Sequence, residues 1–92
     1  MLKKIKFKSF CELIKDQECL YDGIPLNFTS EPFIKVKNTI ETERDDLIIL
    51  VTALSTNMKM PFRESTSEIT YDKEKDLYYL KSNNREHIFK IK

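Results

Sequence analysis

The sequence predicts an α+β domain: a mostly antiparallel β-sheet, curled or closed into a small barrel, with one short N-terminal α-helix and a C-terminal β-meander. Three observations predict it. Apolar residues alternate with polar ones along most of the 92 residues, which is the period of a strand with one buried face. One N-terminal stretch combines helical apolar spacing with a capping signal. Asn, Asp and Ser punctuate the alternating runs, so turns form in a chain with a single glycine. Seven or more short strands in so short a chain curl strongly. A chain of this length is read as one domain, residues 1–92.

Lys4, Lys6 and Lys8 alternate with Ile5 and Phe7, which reads as a first strand. Ser9-Phe10-Cys11-Glu12 fits a capping box, with the serine on the amide of Glu12 and the glutamate reaching back. Phe10, Leu13 and Ile14 follow on one helical face, so a helix is expected from about Phe10 to Glu18. Asp22-Gly23 suits a type I′ turn between Cys19–Tyr21 and a return strand Ile24–Leu26, where Pro25 requires an edge or irregular strand. Thr29-Ser30-Glu31-Pro32 reads as a loop.

Ile34, Val36 and Ile40 define a long strand, with Asn38 interrupting its apolar face. Residues 41–46 are polar and acidic and read as a loop. Leu47–Leu54 fits a helix or a strand buried on both faces, and its Ile, Val and Thr content favours the strand. Met58, Met60 and Phe62 alternate with Lys59, Pro61 and Arg63, which reads as an edge strand because proline cannot donate to a ladder. Glu68–Asp72, Leu77–Ser82 and Glu86–Lys92 form the meander, with turns at 73–76 and at Asn83-Asn84.

Composition excludes several function classes. Sixteen basic residues against fifteen acidic ones leave a net charge of +1, so there is no polybasic arm or acidic tail. One glycine excludes glycine-rich phosphate loops, and one histidine with two cysteines excludes the usual zinc modules. No apolar run reaches ~18 residues, and the basic N-terminus has no signal-peptide apolar region behind it. The expected compartment is therefore the cytoplasm, with Cys11 and Cys19 reduced. No membrane partner is expected.

Candidate chemistry is sparse. His87 lies in register with Phe89 and Ile91, at the rim of the expected core, and nothing in the spacing pairs it with Cys11 or Cys19 as a base for a nucleophile. Residues 72–76 carry alternating carboxylates, but the glycine that a calcium loop needs is Leu77 and the closing glutamate is Asn83. No catalytic residue, metal ligand set or cofactor motif is identified, and the chain is not read as an enzyme.

Two binding readings follow. The first is a small protein-binding domain, such as an inhibitor or immunity-type protein of phage, mobile-element or bacterial origin, that docks on a protein target. Its candidate surface is the strip Met58, Met60, Phe62 and Arg63, because thioethers adapt to varied partners and aromatic and Arg side chains anchor interfaces. Glu41, Glu43, Asp45 and Asp46 would form its charged rim. An exposed edge strand could also pair with its own copy in a homodimer. The alternative is a nucleic-acid-binding small β-barrel. There Lys4, Lys6, Lys8, Lys90 and Lys92 would form one lysine face, provided that the first and last strands pair. Three arginines against thirteen lysines weigh against it, since Arg carries most bidentate phosphate and base contacts.

Overall fold

The computed structural model describes residues 2–22, 34–54 and 59–91. The elements run β1 (Leu2–Ile5), α1 (Phe7–Ile14), β2 (Glu18–Asp22), β3 (Ile34–Glu43), β4 (Asp46–Ala53), β5 (Lys59–Arg63), a 3-10 turn (Glu64–Thr66), β6 (Ser67–Asp72), β7 (Leu77–Ser82) and β8 (Arg85–Ile91). The eight strands of the described residues form one antiparallel sheet in the order β1-β6-β7-β8-β2-β3-β4-β5. The sheet is curled but, among the described residues, is not closed into a barrel by hydrogen bonds, and β1 and β5 are its two edges there.

The order itself forces the curl. β5 and β6 are consecutive in sequence but six strand spacings apart in the sheet, about 29 Å if it were flat. Only Glu64–Thr66 joins them, and the four residue steps from Arg63 to Ser67 reach at most about 14 Å. The two ends of the sheet must therefore come round towards each other.

Register sorts the side chains. The inner face carries Ile69, Leu80, Phe89, Tyr21, Val36, Val51, Ile49 and Phe62, which join one core. α1 plugs this face. Phe7, Phe10, Cys11 and Ile14 are buried, and Phe10 sits 5.3 Å from the Tyr78 ring and 5.6 Å from Phe89. The outer face also buries Ile48, Leu77 and Ile88, and β4 accordingly reads as a nearly continuous apolar run.

The predicted strands at 34–40 and 47–54, the described part of the one at 58–63, and the three-stranded meander are present, with one short helix before them. Three expectations are corrected. The helix starts at Phe7, not Phe10, and ends at Ile14. No side chain caps it, so the Ser9/Glu12 capping box does not form. The stripe 7, 10, 11, 14 buries more apolar surface than the one beginning at Phe10, and Leu13 stays 43% exposed. The first strand accordingly stops at Ile5: Lys6 is the residue before the helix and Lys8 lies within it. The acidic stretch 41–46 is not a loop. β3 runs on to Glu43, Arg44-Asp45 makes a two-residue turn, and Asp46 opens β4. The return strand expected at Ile24–Leu26, its Asp22-Gly23 turn and the loop at 29–32 lie outside the described residues, apart from Asp22, which ends β2.

The tight turns at 44–45 and 83–84 are made without glycine. Arg44 and Asp45 have φ of 53° and 63°, and Asn83 and Asn84 have 52° and 64°, as a type I′ hairpin requires. Asn and Asp tolerate this region; Arg44 does so at a cost of about 1 kcal/mol.

Candidate functional site

The β3–β4 hairpin tip and the 3-10 turn meet at one corner. There Glu43, Arg44, Asp45, Asp46, Arg63, Glu64 and Ser65 line an open cleft of about 550 Å³. Asp46 fastens the two elements. One carboxylate oxygen accepts the Ser65 backbone N–H at 3.1 Å, and the other accepts the Ser65 hydroxyl at 2.7 Å. Across the end of β4, the Arg63 guanidinium lies 3.5 Å from the Glu43 carboxylate. Arg63 stands opposite Ile48 and Glu43 opposite Asp46, so the pair spans two strands on the outer face. Both side chains are about half exposed, and such a pair contributes at most about 1 kcal/mol.

Two stretches named separately in the sequence, 41–46 and 58–63, are thus brought together. Glu43, Asp45, Asp46 and Arg63 share the corner, and Glu41 lies exposed on β3 just short of it. The apolar half of the expected surface is different. Phe62 is buried in the core and Met60 packs against it, because both face inward from β5; Met58 lies outside the described residues. Ser65 and Glu64 had no sequence signal. They join the corner only because the chain must turn between β5 and β6.

The inner end of β5 meets the only histidine. Tyr21 Oη and His87 Nδ1 are hydrogen-bonded at 2.7 Å, and the Tyr21 hydroxyl also lies 3.6 Å from Met60 Sδ. The His87 ring stacks on Tyr21 and meets Phe62 edge to face. Burial, helped by the charge on Arg85, pushes His87 down from its ordinary value. Burial, with Asp22 adding to it, pushes Tyr21 up to about 12. Both shifts favour the neutral forms of the two groups near pH 7. The Cys–His pair weighed from sequence is not assembled. His87 Nδ1 is taken by Tyr21, and Cys19 Sγ accepts from Asn38 Nδ2 at 3.1 Å. Burial raises Cys19, and burial with the nearby Glu64 charge raises Cys11 to about 11.

The five lysines of the nucleic-acid reading are not gathered by strand pairing. β1 pairs with β6 and β8 with β7 and β2, so Lys4 and Lys90 stand three strand positions apart. Lys6 immediately precedes the helix and Lys8 lies within it, so neither is on the sheet, and Lys92 lies outside the described residues. Among the described residues no three His, Cys, Asp or Glu side chains come together as metal ligands do, and no helix is long and apolar enough to cross a membrane.

No family model, no curated protein and no solved structure matches this chain.

Proposed function

We propose that this chain is a non-catalytic binding domain that docks on a protein target through the corner at Arg63, of which an inhibitor or immunity-type protein is one form. The observation that carries the reading is the meeting of Glu43, Asp45, Asp46 and Arg63, from two separate stretches, beside β5, an edge strand among the described residues. Asp46 is spent on positioning, since both its oxygens hold Ser65. Glu43, Asp45, Arg63 and the exposed Glu41 are the groups offered to a partner. Phe62 and Met60 support the strand from beneath. Burial of the two free thiols suits a protein of a reducing compartment, the cytoplasm.

The test is affinity capture from host lysate at low and high salt, with and without nuclease, using the intact protein and an Asp45→Lys/Arg63→Glu variant. A stoichiometric protein band that survives nuclease and is lost with the variant is the expected result. Recovery of nucleic acid that disappears at high salt would replace this reading with the lysine-face alternative. Equal capture by both proteins, or none by either, would remove the corner as the site.

A further inference from the structure

The outer face of the β3–β4 hairpin carries an ordered charge pattern. Along β3, Val36 and Asn38 point inward and are buried, while Lys35, Lys37, Thr39, Glu41 and Glu43 point outward and are exposed. Two lysines at one end are thus separated from two carboxylates at the other by one threonine. Register sets Leu50 opposite Thr39 and Pro61 opposite Leu50, so these three make one row across β3, β4 and β5. Lys37 and Glu41 lie one outward position to either side of this row, and Lys35 and Glu43 lie two. On β4 the outward residues Leu50 and Leu54 are half-buried and 47% exposed, and α1 covers the inner face instead. Lys35, Lys37 and Glu41 have no ion-pair partner among the described residues. Glu18 of β2 stands opposite Lys37 at the flank of this face.

This pattern selects its occupant. An acidic chain that meets the lysines is repelled by Glu41 and Glu43, and a basic one is repelled by Lys35 and Lys37. A second copy, given a half-turn about the Thr39–Leu50 row, satisfies both ends. That axis lies in the plane of the contact and reverses the strands of the copy. Lys37 then faces Glu41, Lys35 faces Glu43, and Leu50 faces its own counterpart. The contact is isologous, so each lysine–glutamate pair occurs twice. Sheets stacked face to face lie about 10 Å apart, which a lysine and a glutamate reaching towards each other can span. Because the sheet curls, its outer face is convex. The copies touch over β3 and β4 and part at β2 and β5, which leaves Glu18, Lys59 and Arg63 on the flanks. Stacking with the strands parallel would set lysine on lysine. Pairing through the edges would also set like charges together, since β1 and β5 carry Lys3, Lys4, Lys59 and Arg63 and no carboxylate.

We infer that the chain forms a twofold homodimer through the outer face of β3 and β4. The strands of the two copies run antiparallel, and Lys35 and Lys37 of each copy face Glu43 and Glu41 of the other. The contact is small beside the ~800 Å² per partner of a standard interface, so the dimer dissociates on dilution and weakens in salt. Glu41 and Glu43 are also offered at the Arg63 corner, so a target docked there competes with the second copy for them. That competition rests on the corner reading; the dimer does not.

The experiment is sedimentation velocity of the purified intact protein, from micromolar to millimolar concentration and at low and high salt, beside two charge-reversed variants. One is Lys35→Glu/Lys37→Glu and the other is Glu41→Lys/Glu43→Lys. The unaltered chain should pass from monomer to dimer as concentration rises, and salt should move that passage to higher concentration. Either variant alone sets like charges on every pair and should weaken the dimer by about tenfold or more. An equimolar mixture of the two restores opposite charges on every pair and should dimerise at least as well as the unaltered chain. All the substituted positions are exposed on β3, and circular dichroism checks the fold. Should a double variant unfold, Lys37→Glu and Glu41→Lys serve the same comparison. The inference is overturned by an unaltered chain that stays monomeric at millimolar concentration, by a variant that dimerises undiminished, or by a mixture of folded variants that stays monomeric. No target is present in this measurement, so the dimer and the Arg63 corner fail separately.

Discussion

Phe62 and His87 stand four positions apart in the strand order, yet their ring centroids lie 4.7 Å apart, edge to face. On a flat sheet those strands would be about 19 Å apart. The contact is therefore a direct mark of the curl, and it joins β5 to the middle of the sheet through side chains rather than through the ladder. Phe89 and Tyr21 complete the cluster, at 5.9 and 6.4 Å from Phe62.

Removing the Phe62 ring should open this cluster. Phe62→Ala is expected to destabilise the fold by about 3–5 kcal/mol, as truncation of a buried phenylalanine generally does. Urea unfolding of the purified protein measures it. A loss below about 1 kcal/mol would mean that β5 is not anchored through this side chain.

Stability should depend on His87 in acid. Its folded value lies below the ordinary 6.5, so the unfolded chain binds the proton first as pH falls. The contribution is complete above pH 6.5 and declines as pH drops from there through the lower folded value. His87→Phe should flatten that part of the profile. Denaturant titrations between pH 7.5 and 4.5 check this, and an identical slope in both proteins would contradict it.

The alkaline side has the opposite sign. Tyr21 is raised to about 12 and Cys11 to about 11, so the folded protein holds protons that the unfolded chain has lost. Stability should fall as pH rises from about 9 through 12. At pH 8, alkylation of Cys11 and Cys19 by iodoacetamide should be far slower than for a free thiol and should speed up with urea as the fold opens. Rapid modification of either thiol in the folded protein would count against their burial.

The corner rests on Asp46 more than on its ion pair. Asp46→Ala should cost about 1 kcal/mol, because it releases both bonds to Ser65. A double-mutant cycle between Glu43→Gln and Arg63→Gln should give less than about 1 kcal/mol, falling further in salt. A larger coupling for the pair than the loss at Asp46 would reverse this ranking.

Asn38 offers a further contrast. It is fully buried, its Nδ2 donates to the Gln17 carbonyl and to Cys19 Sγ, and its Oδ1 has no partner among the described residues. Asn38→Leu is expected to shift stability by no more than about 1 kcal/mol, since an unsatisfied oxygen is removed along with the donor. Asn38→Asp should lose about 3 kcal/mol or more at neutral pH and recover part of it in acid, because a buried carboxylate without a partner must take up a proton. Thermal melts at pH 7 and pH 5 separate the two.

What was legible in the sequence is what depends on near neighbours. Val36, Asn38 and Ile40 share one face whatever strand lies beside them, and Pro61 marks an edge because it lacks an N–H. Phe7 was ambiguous because it fits both the period of two with Ile5 and the helical stripe with Phe10, Cys11 and Ile14. Burial under α1 decides for the helix. The corner was half legible. Its charged residues were named, but which stretch lies beside which depends on the β3–β4–β5 register, and Ser65 carries no pattern of its own. The lysine face failed for the same reason, since the pairing of β1 and β8 is a matter of sheet order.

That order has a consequence for how the chain is made. β3–β4–β5 and β6–β7–β8 are each assembled from strands adjacent in sequence, and each can form as soon as its own residues are available. Residues 2–22 leave the ribosome before either, yet β2 sits between β8 and β3, and β1 lies outside β6. This segment joins the two halves: β2 can pair with β3 as soon as that strand appears, whereas its pairing with β8 and that of β1 with β6 wait for the later strands. Until then Phe10 of α1 lacks the Tyr78 and Phe89 rings that it packs against. Production in cells should therefore be most sensitive to chaperone supply and to growth temperature during that interval.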